Sequence, residues 1–195
     1  MNPKRMLWIM LAVVVAFTLF NIFSTFQRGP ELDQVSYRAV YIFDWEGYTT
    51  MENLAVFTHE NQQELENTGA QFNAISMEDK MKDYAEGMKQ LSEKMTHPVE
   101  VIAYEATAYR KGGFLEIVET GKVQGLTTSR GEIWKTGFGD NQLVLQENVQ
   151  LVFILPDDAR IIEVDPEPSK IEGVVLTWSD PGPLPFPVVT YERRD

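Results

Sequence analysis

The stretch VEVIAYEATAYRKGGFLEIVETGKV, residues 99–123, holds two runs rich in β-branched and aromatic residues on either side of Lys111-Gly112-Gly113. Runs of this composition favour extended backbone. Paired glycines between them are typical of a tight turn between antiparallel strands. We therefore predict a β-hairpin whose strands run from Val99 to Arg110 and from Phe114 to Val123.

The same pattern continues through most of the chain. Val35 to Phe43 and Tyr48 to Thr58 flank a turn at residues 44–47, which predicts a second hairpin. Further short extended runs lie at residues 133–134, 143–155, 161–164, 173–178 and 188–191. About eight to ten short strands separated by Gly and Pro turns are typical of a sandwich. We therefore predict a mainly β domain with one amphipathic helix (α+β), arranged as an antiparallel β-sandwich-like domain.

The amphipathic helix is predicted over residues 76–95. Ser76 is a good N-cap, and six apolar residues follow at spacings of three and four, which places them on one helix face: Met77, Met81, Tyr84, Met88, Leu91 and Met95. This stripe has two interpretations. It covers the sheet as part of the core, or Met81, Tyr84, Met88, Leu91 and Met95 form a groove for a partner, because methionines make adaptable binding surfaces. Residues 59–75, rich in Asn, Gln and Glu, predict a loop, with a short helix as the alternative.

An uncharged segment, MLWIMLAVVVAFTLFNIFSTF, occupies residues 6–26. As a helix, 21 residues span roughly 30 Å, the hydrocarbon thickness of a bilayer. Lys4 and Arg5 precede it, so the positive-inside rule places the N-terminus in the cytoplasm. We predict a single-pass protein of the cell membrane with a cytoplasmic N-terminus (1–5), a transmembrane anchor (6–26), a linker (27–33) and an extracytoplasmic β-rich domain (34–195). A cleaved signal peptide is the alternative, but the apolar run is longer than signal peptides normally use.

Composition excludes several classes of function. The chain has 29 acidic residues against 17 Lys and Arg, a formal net charge of −12, and no cysteine. A surface of this sign repels phosphate backbones, so we exclude nucleic acid as a partner. Without cysteine there is no disulfide framework, thiolate metal site or cysteine nucleophile. The sequence contains no nucleotide-binding, zinc or serine-hydrolase motif, and we predict no cofactor, no metal and no catalytic residue.

Two further groups of residues suggest ligand chemistry. Alternation along a strand places Glu163 and Asp165 on one face, which makes them candidates for a calcium site or a carboxylate-based hydrolase. The simpler interpretation is a solvated strand face. Trp45, Trp134 and Trp178 are candidate stacking platforms for a glycan, provided that they do not all lie in the core.

The C-terminal third has a recognisable order of strands. One strand ends at Leu155-Pro156, the next covers Ile161 to Val164, and a third ends at Trp178, before a final strand that ends at Tyr191. This segment, VQLVFILPDDARIIEVDPEPSKIEGVVLTWSDPGPLPFPVVTY (residues 149–191), resembles uncharacterised families of small, single-pass anchored proteins with an extracytoplasmic β-sandwich domain. The resemblance implies the sandwich fold. Those families have no assigned activity, so it implies no functional residue.

These observations favour a membrane-anchored, extracytoplasmic interaction module without enzymatic activity. Its partners would be the membrane, through residues 6–26, and another envelope protein. The first alternative is a ligand-binding domain for a glycan, a lipid or calcium. The second is the carboxylate-based hydrolase.

Overall fold

The computed structural model describes residues 32–93, 95, 98–137, 139 and 141–194. Within these residues the chain forms thirteen strands and two helices, so the prediction of a mainly β domain is confirmed. The strands are β1 (Asp33–Phe43), β2 (Tyr48–Thr58), β3 (Glu100–Lys111), β4 (Phe114–Gln124), β5 (Thr127–Arg130), β6 (Ile133–Thr136), β7 (Gln142–Leu145), β8 (Val149–Ile154), β9 (Ala159–Asp165), β10 (Lys170–Glu172), β11 (Val175–Trp178), β12 (Gly182–Pro185) and β13 (Val188–Arg193); the helices are α1 (Gln62–Ala74) and α2 (Met77–Ser92).

Seven strands form a large sheet in the order β10-β11-β8-β1-β2-β4-β3. Both predicted hairpins are present, because β1 pairs antiparallel with β2 and β3 pairs antiparallel with β4. The β1–β2 turn is closed by Asp44, whose Oδ1 accepts the backbone N–H groups of Glu46 and Tyr48 at 3.0 and 2.8 Å. At the β3–β4 turn, Gly112 and Gly113 have φ angles of 55° and 71°. Glycine adopts these angles without a Cβ clash.

The sheets are arranged in a more complex way than the predicted antiparallel sandwich. β8 pairs with β1 in parallel, and two smaller sheets, β5-β6-β13-β9 and β12-β7, complete a multi-sheet domain. A parallel pair needs a long crossover connection. Here six strands and both helices separate β1 from β8 along the chain, so local sequence patterns do not reveal the pairing. In the proline-rich run, β12 pairs with one neighbour, β7, as expected of a segment that lacks backbone donors.

The structure contains two helices where the sequence predicted one. Residues 59–75 include α1, whose N-cap Asn61 accepts the backbone N–H of Gln63 at 3.0 Å. The predicted helix over residues 76–95 corresponds to α2, and Ser76 Oγ accepts the backbone N–H of Asp79 at 3.1 Å. Both helices pack on β3, and α1 also contacts β4.

One hydrophobic core contains side chains from both helices and from all three sheets. Phe153 of β8 is fully buried in it. Its ring lies 5.1 Å from that of Phe43, 5.0 Å from that of Trp178 and 5.8 Å from that of Phe186, measured between centroids. Offset and edge-to-face contacts of this kind stabilise a core beyond the area that they bury. The core therefore lies on the face of the large sheet that carries Phe43, Phe153 and Trp178.

The other face of the large sheet is also apolar at its centre. Its aliphatic side chains occupy the strand positions that alternate with the core-facing ones, and none of them belongs to the core cluster: Val40, Ile42, Leu54, Val56, Val118, Val152, Ile154 and Val175. Val40 and Val152 at the centre are only 7% and 3% exposed. This sheet is therefore apolar on both faces near β1 and β8.

The predicted transmembrane anchor, residues 6–26, lies outside the described residues, as do residues 1–5 and most of the linker. Among the residues that are described, no helix combines the length and the apolar character needed to cross a bilayer.

Candidate functional site

A surface cleft of about 460 Å³ lies where three parts of the chain meet. These are the β1–β2 turn, the β5–β6 turn and the end of β13. The lining residues are Trp45, Gly131, Glu132, Trp134, Arg193 and Arg194. The pairing of β6 with β13 brings them together, since it places Trp134 opposite Tyr191 and so sets the β5–β6 turn beside the C-terminal end of the chain.

The floor of the cleft is aromatic. Trp45 meets Trp134 edge to face with the ring centroids 5.8 Å apart, and it packs on the buried Tyr191 at 5.5 Å. Trp45 Nε1 donates to Asp158 Oδ1 at 2.6 Å. Both tryptophans are partly buried against the core and partly open to solvent. The floor is therefore rigid and still accessible.

The wall of the cleft is basic. The Arg193 guanidinium lies 4.9 Å from the centre of the Trp45 ring, and its Nε is 3.2 Å from Asp158 Oδ2. The neighbouring Arg194 is held by its backbone, whose N–H donates to the carbonyl oxygen of Asp158 at 2.8 Å. Its exposed side chain makes no ion pair with any residue that the structure describes. Among the described residues, the cleft therefore has one guanidinium that forms an ion pair, that of Arg193, and one that forms none, that of Arg194.

This arrangement is suited to recognition. Flat aromatic surface binds the apolar face of a ligand, and a guanidinium binds carboxylate or phosphate through a fork of parallel hydrogen bonds. The lining residues include no serine, histidine or lysine, so no nucleophile is paired with a general base there. We conclude that the cleft has the composition of a binding site.

The structure brings two of the three predicted tryptophans to this site. Trp178 is instead in the core, where its Nε1 donates to the Pro166 carbonyl oxygen at 3.0 Å. Glu132, Arg193 and Arg194 were not identified by sequence reasoning. No local motif marks them, and only the pairing of β6 with β13 places them near the tryptophans.

Most of the predicted methionine stripe faces the sheet, whereas Met77 at the start of α2 is 45% exposed and Met95 lies beyond the end of α2 at Ser92. Tyr84 and Met88 are buried in the core, and Met81, Leu91 and Met95 are partly buried against it. Tyr84 stacks on Tyr104 of β3 with ring centroids 4.4 Å apart. These contacts match the core-packing interpretation, and they leave the central side chains of the predicted partner groove inaccessible.

The predicted carboxylate pair is solvated. Glu163 and Asp165 are both exposed on β9, and neither lines the cleft. In the part of the chain that the structure describes, no group of three His, Cys, Asp or Glu side chains could hold a metal ion. The geometry therefore supports neither the calcium site nor the hydrolase.

A buried carboxylate lies beneath α2. Glu119 of β4 is 1% exposed, and its Oε1 accepts a hydrogen bond from Tyr104 Oη at 2.7 Å. Desolvation raises the pKa of Glu119, against the opposing effects of hydrogen bonds from Tyr104 and Asn53 and of the positive charge on Lys80. Lys80 is also buried, and its Nζ donates to a backbone carbonyl of β3 at 3.2 Å. This cluster belongs to the contact between helix and sheet.

The described residues form a small, mainly β domain with one aromatic and basic surface cleft around Trp45 and Trp134. Residues 32–192 match the family described as Domain of unknown function (DUF4897), and the chain belongs to that family. The predicted resemblance to an uncharacterised family is thereby confirmed. Arg193 and Arg194 lie just beyond the matched range.

Among solved structures, the chain is similar to the folded domain of the Mycobacterium tuberculosis protein LppM, determined by NMR. The two share 15% sequence identity with a TM-score of 0.44, over 86% of this chain and 92% of that one. No curated protein sequence matches the chain.

Proposed function

We propose that this protein is a membrane-anchored, extracytoplasmic binding module without catalytic activity, and that the cleft around Trp45 and Trp134 is its recognition site. The observation that carries the proposal is that one cleft combines partly exposed indole rings with the Arg194 guanidinium, which forms no ion pair with the described residues. Aromatic residues and arginine are the side chains that contribute most to binding energy at recognition surfaces.

The cleft is a better candidate than the α2 stripe. Binding requires side chains that a ligand can reach, and the stripe has its central residues in the core. The tryptophans of the cleft are accessible, and they need little reorganisation because hydrogen bonds and ring contacts already hold Trp45 in place. Preorganisation of this kind lowers the entropic cost of binding.

The anchoring part of the proposal rests on residues 6–26, which are uncharged and long enough to span a bilayer. Its test is protease treatment of intact cells that carry an epitope at each end of the full chain. The C-terminal epitope should be lost and the N-terminal one retained. Protection of both epitopes in intact cells would contradict the proposed orientation.

The recognition part is tested by photo-cross-linking in native cells. A photoreactive phenylalanine analogue replaces Glu132 at the rim of the cleft, and a control carries it at Glu172, an exposed position on β10. We expect a covalent adduct from position 132 that disappears when Trp134→Ala is added. Equal adduct yields from both positions, or an adduct that is insensitive to Trp134→Ala, would contradict a recognition role for the cleft.

A further inference from the structure

We infer that the ligand of this cleft is an acidic saccharide, a sugar ring that bears a single carboxylate. The inference rests on the proposed binding role of the cleft and adds the chemical class of its ligand.

The aromatic floor indicates a ligand with one apolar face and a polar rim. Trp134 lines the cleft and is held at its edge by Trp45. The polar N–H of Trp45 is already satisfied by Asp158 at 2.6 Å. Arg193 and Tyr191 also lie against the Trp45 ring, so the surface that the floor offers to a ligand is mainly that of Trp134. A pyranose ring suits such a surface, because it presents its C–H groups on one face and its hydroxyls around the rim.

The wall of the cleft specifies the charge. Arg193 is shared between Asp158 and the Trp45 ring, whereas Arg194 makes no ion pair with the described residues. A free guanidinium beside a stacking surface suits a carboxylate, which accepts two parallel hydrogen bonds from it. In a chain of net charge −12, this is an unusual place for a group that attracts anions.

The acidic residues around the cleft limit how much negative charge the ligand carries. Glu132 also lines the cleft, and Asp158 accepts the hydrogen bond from the Trp45 indole N–H. Both repel a dianion such as phosphate about twice as strongly as a monoanion, since the interaction scales with the product of the charges. Glu132 can accept hydrogen bonds from sugar hydroxyls. A sugar with one carboxylate can pair with the Arg194 guanidinium and can donate hydroxyl hydrogen bonds to Glu132.

The test is calorimetric titration of the full-length chain in detergent with an α-1,4-linked galactotriose in which one residue is galacturonate, so that it carries a single carboxylate. The uncharged comparator is galactotriose of the same linkage. We expect the trisaccharide with one carboxylate to bind about tenfold more tightly than the uncharged one, the usual effect of a charge-assisted hydrogen-bonded pair. Arg194→Gln should remove that difference. The control Arg38→Gln makes the same charge change at an exposed position on β1 and should leave both affinities unchanged.

The stacking contribution is tested at Trp134. Trp134→Ala should weaken both sugars by at least about tenfold, as expected for a central aromatic contact. Trp134→Phe keeps an aromatic ring and should retain binding within about threefold of the wild type. If Trp134→Ala fails to fold, as shown by loss of its far-ultraviolet circular dichroism, the Phe and Arg194 variants still decide the question.

Three results would overturn the inference. They are equal affinity for the charged and the neutral sugar, an Arg194→Gln variant that discriminates as well as the wild type, or a capped Gly-Glu-Gly peptide, which also carries one carboxylate, binding as tightly as the charged sugar. The last result would identify an acidic peptide as the ligand. Failure of the proposed binding role is distinguishable, because cross-linking from position 132 requires no assumption about the ligand. An adduct with a protein, together with no sugar binding, would refute the saccharide and leave the binding module intact.

Discussion

Replacing Gly121 by alanine tests how tightly α2 is fitted to the large sheet. Gly121 lies on β4 directly under Tyr84 of α2. A Cβ there would stand 2.3 Å from Tyr84 Oη, 2.6 Å from Cζ and 2.9 Å from Cε1. Ordinary contact between such atoms is about 3.5 Å, so the ring would have to move by roughly 1 Å. It has little freedom to do so, because it is buried and stacked on Tyr104 at 4.4 Å.

The expected cost is at the upper end of that for overpacked cores, about 3 kcal/mol. For a chain of this size, that corresponds to a fall in Tm of about 6–12 °C. The control is Gly137→Ala, where the nearest atom to an added Cβ is Val188 Cγ2 at 3.7 Å, an ordinary contact. It should change the free energy of unfolding by less than about 1 kcal/mol.

The assay is urea unfolding of the full chain in detergent, monitored by tryptophan fluorescence. It is applied to a double-mutant cycle of the wild type, Gly121→Ala, Tyr84→Ala and the double variant. Truncating Tyr84 alone should cost about 3–5 kcal/mol. Adding Gly121→Ala to that variant should cost almost nothing further, because the clashing ring is gone. Additive costs in the double variant, or a Gly121→Ala protein as stable as the wild type, would refute the packing of α2 described above.

Three other perturbations have definite outcomes. Burial raises the pKa of Glu119, so its ionisation opposes folding as pH rises through the folded-state pKa. In urea unfolding, the stability of the wild type relative to Glu119→Gln should therefore fall between pH 4 and pH 7, about the range in which carboxylates titrate. A stability difference that stays constant over this range would contradict the burial of this carboxylate. Gly125→Ala should lower the free energy of unfolding by at least about 3 kcal/mol, because its φ is +104° and a Cβ would lie 2.4 Å from a backbone carbonyl oxygen. The control Gly173→Ala, where φ is +63° and no atom lies near the added Cβ, should lower it by about 1–2 kcal/mol. Equal losses of stability in thermal unfolding would contradict this prediction. Asp158→Ala removes the hydrogen-bond acceptor of the Trp45 indole N–H and the ion-pair partner of Arg193. It should lower the free energy of unfolding by about 1 kcal/mol and shift the tryptophan fluorescence emission to longer wavelength. An unchanged emission spectrum would argue against the Trp45–Asp158 hydrogen bond.

The parts of the fold that sequence predicted best are those formed by neighbouring segments. The β3–β4 hairpin follows from alternation and from its two turn glycines, and α2 follows from Ser76 and its apolar spacing. In both cases the physical cause lies within a few residues of its effect. The apolar residues predicted to share one helix face do so from Met81 to Leu91, and that face packs against the large sheet.

The first helix was predicted only as the alternative to a loop over residues 59–75, because its buried face is unusual. The side chains that α1 buries are Leu65, Thr68, Gly69 and Phe72, of which only two are large and apolar. Gly69 is needed because a Cβ would lie 2.9 Å from Leu115 Cδ1. Because small residues let α1 lie close to the sheet, the helix packs without the continuous apolar stripe by which an amphipathic helix is predicted from sequence. Asn61 as N-cap was the available signal.

The cleft was only half predictable. Tryptophans are conspicuous in a sequence, and two of the three proposed platforms do line the cleft. The arginines that define its charge lie about 150 residues from Trp45 along the chain, and pairing between distant strands brings them together. No spacing rule connects such positions. The parallel pairing of β1 with β8 was unpredictable for the same reason.

If the cleft is the recognition site, a ligand contacts the protein at Trp45 and Trp134. Two-dimensional NMR of the full chain, labelled with ¹⁵N at its indole nitrogens, reports on each tryptophan separately as solubilised envelope material from native cells is added. We expect the indole chemical shifts of Trp45 and Trp134 to change, while that of the buried Trp178 stays constant. Movement of the Trp178 signal alone, or no movement of any indole signal, would contradict it.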